Sequence, residues 1–189
     1  METVALYGGS FDPPHIGHEA VVKELNRLSF IDEIIIMPTY LNPFKRSFFA
    51  PPELRLEWLK NIFSSYKNVT VSSYEVDKQR EVATVETIKY LKKKYSNIYV
   101  VIGADNLHSL HKWHDYEELQ ALVHFIIAKR DNISVSDDFI KLDINENISS
   151  SDLRNSMDIT KLPKAVAVEI AKYYKEHNAK QNTKNNRLA

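Results

Sequence analysis

Short apolar runs alternate along this chain with stretches in which apolar residues recur every three or four positions. Val4-Ala5-Leu6-Tyr7 is an uninterrupted run of strand length, and Glu33-Ile34-Ile35-Ile36-Met37 repeats the pattern before Pro38. Ile98-Tyr99-Val100-Val101-Ile102 is another such run, Val123-His124-Phe125-Ile126-Ile127-Ala128 is broken only by His124, and Phe139-Ile140-Lys141-Leu142-Asp143-Ile144 reads as a further strand. Apolar runs without alternation suit strands buried on both faces, as in a parallel sheet. β-Branched content and alternation predict a further strand over residues 69–76.

Between these runs the period changes. From His15 onward Ala20, Val21, Leu25 and Leu28 fall at helical spacing with charges between them. Pro51-Pro52 opens a helix to about residue 65, with Leu54, Leu56, Leu59 and Ile62 as its apolar set, after a loop over residues 39–50. Residues 84–95 predict another helix, and residues 106–121 one or two short ones. A short helix starts near Asp152, and a longer one spans residues 163–177 with Val166, Ile170 and Tyr173 on one face. Strands alternating with helices predict the α/β class: a doubly wound parallel sheet with a short C-terminal helical extension. Residues 1–177 read as a single domain without internal repeats or linker, and residues 178–189 as a polar, frayed tail.

Composition narrows the chemistry. The 189 residues suit one domain with a proper core. Lys and Arg total 25, as do Asp and Glu, so the formal charge is zero and no general argument favours a nucleic acid or a membrane surface. The chain has no cysteine, which excludes thiol nucleophiles, disulfides and Cys-ligated zinc. No signal pattern or long apolar segment is present, so a cytoplasmic enzyme is the simplest expectation. Only four glycines occur, Gly8, Gly9, Gly17 and Gly103, and three of them sit where the first strand meets the first helix.

That junction points to a phosphate ligand. Gly8 and Gly9 let a ligand approach the backbone and allow positive φ. A helix start offers unpaired N–H groups and partial positive charge. His15 and His18, three apart, share a face there and can stabilise developing charge, with Gly17 keeping the approach open. The alternative is one capping and one packed histidine. Near the other end, Ser149-Ser150-Ser151 precedes a helix start and Arg154 returns to the face of Ser151 three residues on, a set suited to a triphosphate. An ordinary serine cap with a surface arginine is the alternative. Asp105, after Gly103, is placed to accept hydrogen bonds from a ribose. Gly8-Gly9, Gly103-Ala104-Asp105 and Lys129-Arg130 all follow strands and are expected to face one crevice. His108, His111 and His114 fall at a spacing that does not put all three on one helix face, which argues against a metal site.

The run Gly8-Gly9-Ser10-Phe11-Asp12-Pro13-Pro14-His15-Ile16-Gly17-His18 resembles the H-x-G-H signature of the nucleotidyltransferase superfamily, and within it the bacterial nicotinate mononucleotide adenylyltransferases. Ile148-Ser149-Ser150-Ser151-Asp152-Leu153-Arg154 resembles that family's I-S-S-T-x-I-R motif. Gly103-Ala104-Asp105 with Trp113 resembles its G-A-D motif with a following tryptophan, and Thr84-Val85-Glu86-Thr87 its T-x-[DE]-T turn. The resemblance implies a Rossmann-like nucleotidyltransferase fold and adenylyl transfer from ATP to nicotinate mononucleotide.

It also implies roles. His15, His18 and Arg154 would be catalytic. Gly8, Gly9, Ser10, Phe11, Gly103, Asp105, Arg130, Ser150 and Ser151 would bind ATP. Lys45, Arg46, Thr84 and Trp113 would bind the acceptor. Mg²⁺ would be held mainly by ATP phosphates and water, with no protein metal ligand. The family's P-P-H-K loop is replaced by Asn42-Pro43-Phe44-Lys45, which sets the acceptor contacts apart. Other readings are a phosphopantetheine-type adenylyltransferase, though that family usually has Thr where His15 stands, and a non-catalytic nucleotide sensor. A homo-oligomer remains open.

Overall fold

The apolar runs become strands β1 (Thr3–Gly9), β2 (Glu33–Pro38), β3 (Val69–Val71), β4 (Asn97–Gly103), β5 (His124–Lys129) and β6 (Ile140–Asp143) in a computed structural model of the chain. It describes residues 2–43, 45, 47–129, 134–146 and 148–185. Among these residues the strands form one six-stranded, wholly parallel sheet in the order β3-β2-β1-β4-β5-β6. The helices are α1 (Ile16–Leu25), α2 (Pro52–Phe63), α3 (Tyr74–Asp77), α4 (Thr84–Leu91), α5 (Tyr116–Leu122), α6 (Ser150–Ser156) and α7 (Ala167–Asn185). Two 3₁₀ segments, Ala104–Lys112 and Ile159–Lys161, lie between them.

The lack of alternation in the strands has its expected cause. Val4 and Leu6 of β1, with Ile35 and Met37 of β2, pack under α4 and α5 beside Val85, Ile88 and Leu119. Their neighbours Ala5, Ile34 and Ile36 turn to the other face and meet Val22 and Leu25 of α1, Trp58 and Leu59 of α2, Leu153 of α6 and Ile170 of α7. The central strands β1, β2, β4 and β5 therefore feed two cores, while the edge strands β3 and β6 feed one. The chain runs outward from β1 through β2 to β3, then crosses to the other side of β1 for β4, β5 and β6. Strand order reverses between β1 and β4, and a crevice opens at the carboxyl ends there.

Three boundaries differ from the sequence reading. The strand expected over residues 69–76 ends at Val71, and Tyr74–Asp77 coils into α3. Serine side chains turn the backbone there: Ser72 Oγ accepts from Tyr74 N at 3.2 Å and Ser73 Oγ donates to Asp77 at 2.6 Å. Helix α4 stops at Leu91, and Lys92, Lys93 and Lys94 continue as turns. Helix α7 begins at Ala167 and runs on to Asn185, so the expected frayed tail from residue 178 is helical over its first eight residues. Ala179, Lys180 and Gln181 are good helix formers, and no Pro or Gly stops the helix. No helix among the described residues is long and apolar enough to cross a membrane.

Candidate active site

Strand β1 delivers Gly8 and Gly9 to the crevice. A Cβ on Gly8 would meet only the Met37 carbonyl, at 3.9 Å, so its backbone is open to an approaching ligand. Gly9 has a different reason: a Cβ there would lie 3.2 Å from the Phe11 ring. Neither glycine uses positive φ. The residue that does is Phe11, at φ 48°, with its side chain almost wholly buried. The strained turn thus falls two residues later than the glycines suggested, on a bulky residue held by packing. The Phe11 ring lies 5.5 Å from Tyr7 and 4.8 Å from His18, between strand and helix.

The two histidines open α1 together. His15 is its N-cap residue, and the His15 amide donates to Nδ1 of His18 at 3.0 Å. Accepting that hydrogen bond leaves the proton of a neutral His18 ring on Nε2. The rings stack at 3.7 Å. Gly17 favours this stack, because a Cβ there would lie 3.0 Å from the His15 ring and press it aside. Nδ1 of His18 thus serves the start of the helix, and His15 is the cap residue it holds. Both rings line a cavity of about 140 Å³ with Tyr7, Gly103, Asn106 and Ala128.

The far motif arrives through α6. Ser149 caps that helix, its Oγ accepting from Asp152 N at 3.1 Å. The Ser150 hydroxyl donates to the Pro13 carbonyl at 2.9 Å, joining α6 to the loop after β1. Ser151 Oγ accepts from Arg154 at 3.0 Å. Arg154 also donates to the Asp12 carbonyl and lies over the Phe49 ring at 4.3 Å. The three serines thus differ within the fold: one caps, one joins, one orients the arginine. Lys45 comes to the same loop and donates to Ser10 Oγ at 3.3 Å. Desolvation, and then the Arg154 charge, push its amine below the usual lysine value against the pull of Asp12. Two cations crowd one polar loop, an arrangement suited to an anion.

A larger cleft, of about 750 Å³, adjoins on the other side of β1. Gly8, Gly9, Thr39, Thr84, Glu75 and Trp113 are among its walls. Thr84 is the first residue of α4, after the N-cap Ala83, so it does not cap the helix. Trp113 is partly buried, and its indole N–H is sealed from solvent without an acceptor. The single crevice expected for Gly8-Gly9 and Gly103 is thus two adjacent hollows, with Gly103 beside the histidines and Gly8-Gly9 beside Thr84 and Trp113. The two open on opposite faces of the sheet, Tyr7 and Ala128 lining the first and Leu6, Gly8 and Val100 the second. Asp105 is exposed at the start of the 3₁₀ segment, its carboxylate against the Gly103 backbone. Arg46 and Arg130 lie outside the described residues.

Three residues that sequence reasoning passed over hold this site. Asp12 is buried and accepts from Phe49 N at 2.8 Å, from Ala50 N at 3.1 Å and from the Tyr174 hydroxyl. Arg55, 1% exposed, donates to main-chain carbonyls of the loops that follow β1 and β2. Its signal was readable: Arg55, Leu59 and Ile62 share one helix stripe, and a charge on an apolar stripe marks a buried, partnered ion. Tyr174 had no such mark.

Comparison with known proteins gives a uniform result. Residues 6–156 match the family model described as cytidylyltransferase-like. A Sulfurimonas denitrificans protein named "Probable nicotinate-nucleotide adenylyltransferase" is 54% identical over 180 residues, covering 95% of this chain and 99% of its own. Proteins of the same name from Nitratiruptor sp. and Campylobacter fetus are 47% and 43% identical, covering 91% and 94% of this chain and 98% and 99% of their own. Among solved structures, Plasmodium falciparum nicotinic acid mononucleotide adenylyltransferase complexed with NaAD has a TM-score of 0.79 at 20% identity, over 94% of this chain and 98% of its own. That last likeness is one of fold.

Proposed function

This chain belongs to the nicotinate-nucleotide adenylyltransferases, within the cytidylyltransferase-like family, and we infer from that membership how its site works. The reaction is transfer of the adenylyl group of ATP to nicotinate mononucleotide, giving nicotinate adenine dinucleotide and pyrophosphate. What carries the assignment of roles is the convergence of His15, His18, Lys45 and Arg154 on one loop. ATP would lie along that loop, with its phosphates between the histidines and Arg154. The acceptor would occupy the cleft with its ring near Trp113 and its carboxylate near Thr84 and the start of α4.

In this arrangement the acceptor's 5′-phosphate attacks the α-phosphorus in line and pyrophosphate leaves. The attacking phosphate is already ionised at neutral pH, so no side chain need remove a proton. The residues act by positioning and by meeting developing charge. His18 donates from Nε2, and Arg154 offers a guanidinium already oriented by Ser151, Asp12 and Phe49.

Among the described residues no three His, Asp or Glu side chains converge as metal ligands, and the phosphate loop is cationic. That donor set fits a divalent ion carried by the nucleotide, so Mg²⁺ is proposed to be bound by ATP phosphates and water. It would supply neutralisation of phosphate charge. A cytoplasmic setting belongs to the same proposal, because both substrates are phosphorylated metabolites.

The test is pyrophosphate release with ATP and Mg²⁺, comparing nicotinate mononucleotide, nicotinamide mononucleotide and phosphopantetheine. Preference for the nicotinate compound supports the assignment. Turnover with phosphopantetheine alone would keep the ATP site and overturn the reaction. ATP binding without release from any acceptor would make the protein a nucleotide sensor.

A further inference from the structure

Arg55 carries an ionised group into the protein interior, where an ion persists only with good partners. Its partners are all main-chain carbonyls. Nε donates to Ala50 O at 3.0 Å, one terminal nitrogen to Ser10 O, and the other to Thr39 O at 2.8 Å and Tyr40 O at 3.0 Å. These carbonyls come from two different places. Ser10 belongs to the loop after β1, against the phosphate site. Thr39, Tyr40 and Ala50 are the beginning and end of the loop between β2 and α2.

Asp12 completes the second attachment, since its carboxylate holds the amides of Phe49 and Ala50. The β2–α2 loop is therefore pinned at both ends to the phosphate loop. From its middle, Lys45 reaches back to Ser10. Thr39, Asn42 and Pro43 of the same loop line the larger cleft. A guanidinium is planar, and its donors sit in a fixed fork. A displacement of Ser10 thus cannot be absorbed without moving Thr39, Tyr40 or Ala50, or breaking a bond to a buried ion.

We propose that Arg55 is a positioning residue that couples the two substrate loops, so that nucleotide bound at residues 8–18 orders the loop at residues 39–50 for the acceptor. This rests on the assignment of ATP to the β1–α1 loop. Arg55 touches neither substrate. Its role is transmitted through the carbonyls it holds, and the loop that responds is the one bearing Lys45.

The experiment is amide hydrogen exchange with and without α,β-methylene ATP, on the parent and on Arg55→Lys and Arg55→Met. In the parent, the analogue should slow exchange at residues 8–18 and, with it, across residues 39–50 by about fivefold or more, the lower end of ordinary coupling between sites. In Arg55→Lys, protection at 8–18 should persist while that at 39–50 is lost. A lysine keeps the charge but cannot span four carbonyls. Slowing at 39–50 that survives in a folded Arg55→Lys would overturn the proposal. So would its absence in the parent, which holds even if both variants fail to fold. Pyrophosphate release by the parent is measured alongside. A parent that binds the analogue without turnover would sink the assigned reaction while leaving the exchange result to decide on Arg55.

Discussion

The Tyr174 hydroxyl on α7 donates to the Asp12 carboxylate in the first loop, joining positions 162 residues apart in sequence. Burial, and then the Asp12 charge, hold the phenol protonated well above the usual tyrosine range. The same helix reaches the site twice more: Tyr173 donates to Phe49 O at 3.2 Å and Asn178 to Arg154 O at 3.0 Å. Helix α7 itself is anchored on α2 by Trp58, whose indole donates to Glu169 at 2.9 Å. The C-terminal helix is therefore a brace behind Asp12 and Arg154.

Tyr174→Phe tests that brace. The ring is retained and one donor to a buried carboxylate is lost, which should cost about 1.5–3 kcal/mol, the range for hydrogen bonds to charged groups. Denaturant unfolding measures it. Turnover should fall less than on loss of His18, because Phe49 and Ala50 still hold Asp12. An unchanged midpoint would mean that the contact contributes nothing.

In the proposed mechanism the two nitrogens of His18 have separate tasks, and two substitutions divide them. His18→Ala loses the acceptor for the His15 amide and the Nε2 donor together. It should lower stability by about 1 kcal/mol, as for a lost cap. Turnover should fall by about 10²–10³, as for a lost transition-state donor. His18→Asn can place an oxygen where Nδ1 stood, keeping the cap without the donor. Its stability should match the parent while turnover falls as in the alanine variant. Parent-like turnover in either protein would remove His18 from the chemistry.

How much of this could be read from the residues follows from the range of each interaction. The sheet was legible because its central strands are buried on both faces, and burial writes itself as unbroken runs such as Glu33-Ile34-Ile35-Ile36-Met37. The histidine pair and Arg154 were legible because each is fixed by a helix start within a few residues. Contacts across the chain left weaker marks. Asp12 reads as one more turn residue, and only its distant partners Phe49, Ala50 and Tyr174 reveal it as a hub. Positive φ at Phe11 contradicts local preference and is sustained by packing against Tyr7 and His18. Strand β3 was overread because its β-branched residues continue past the point where Ser72 and Ser73 turn the backbone.

Gly103→Ala tests the corner that Gly103 forms with Asp105. Gly103 has φ −69° and ψ 146°, which alanine adopts freely, so the backbone need not change. The new methyl would collide with the Asp105 carboxylate and turn it away. With Asp105 holding the ribose, the KM for ATP should rise about tenfold, the equivalent of one hydrogen bond, with kcat nearly preserved. Steady-state kinetics with varied ATP decides this. A KM equal to that of the parent would take Asp105 off the nucleotide.

Glu75 makes stability depend on pH in a direction opposite to the common one for carboxylates. It is 6% exposed, in the wall of the larger cleft, and accepts from Thr87 Oγ1 at 2.7 Å. Burial pushes its carboxyl from 4.5 up to about 7, with the Thr87 bond opposing and Glu86 adding to the rise. A carboxyl raised on folding binds its proton more tightly in the folded chain. Its contribution is therefore fully present below the ordinary carboxylate value and is lost as pH climbs through about 7. A shift of this size corresponds to about 3 kcal/mol between the two ends of that window. Glu75→Gln keeps an oxygen for Thr87 and never ionises, so this component should vanish. Relative to its standing at about pH 5, the variant should gain on the parent by roughly 3 kcal/mol at about pH 8 in denaturant unfolding. Parallel pH profiles for the two proteins would show that Glu75 is ionised at no cost in the folded chain.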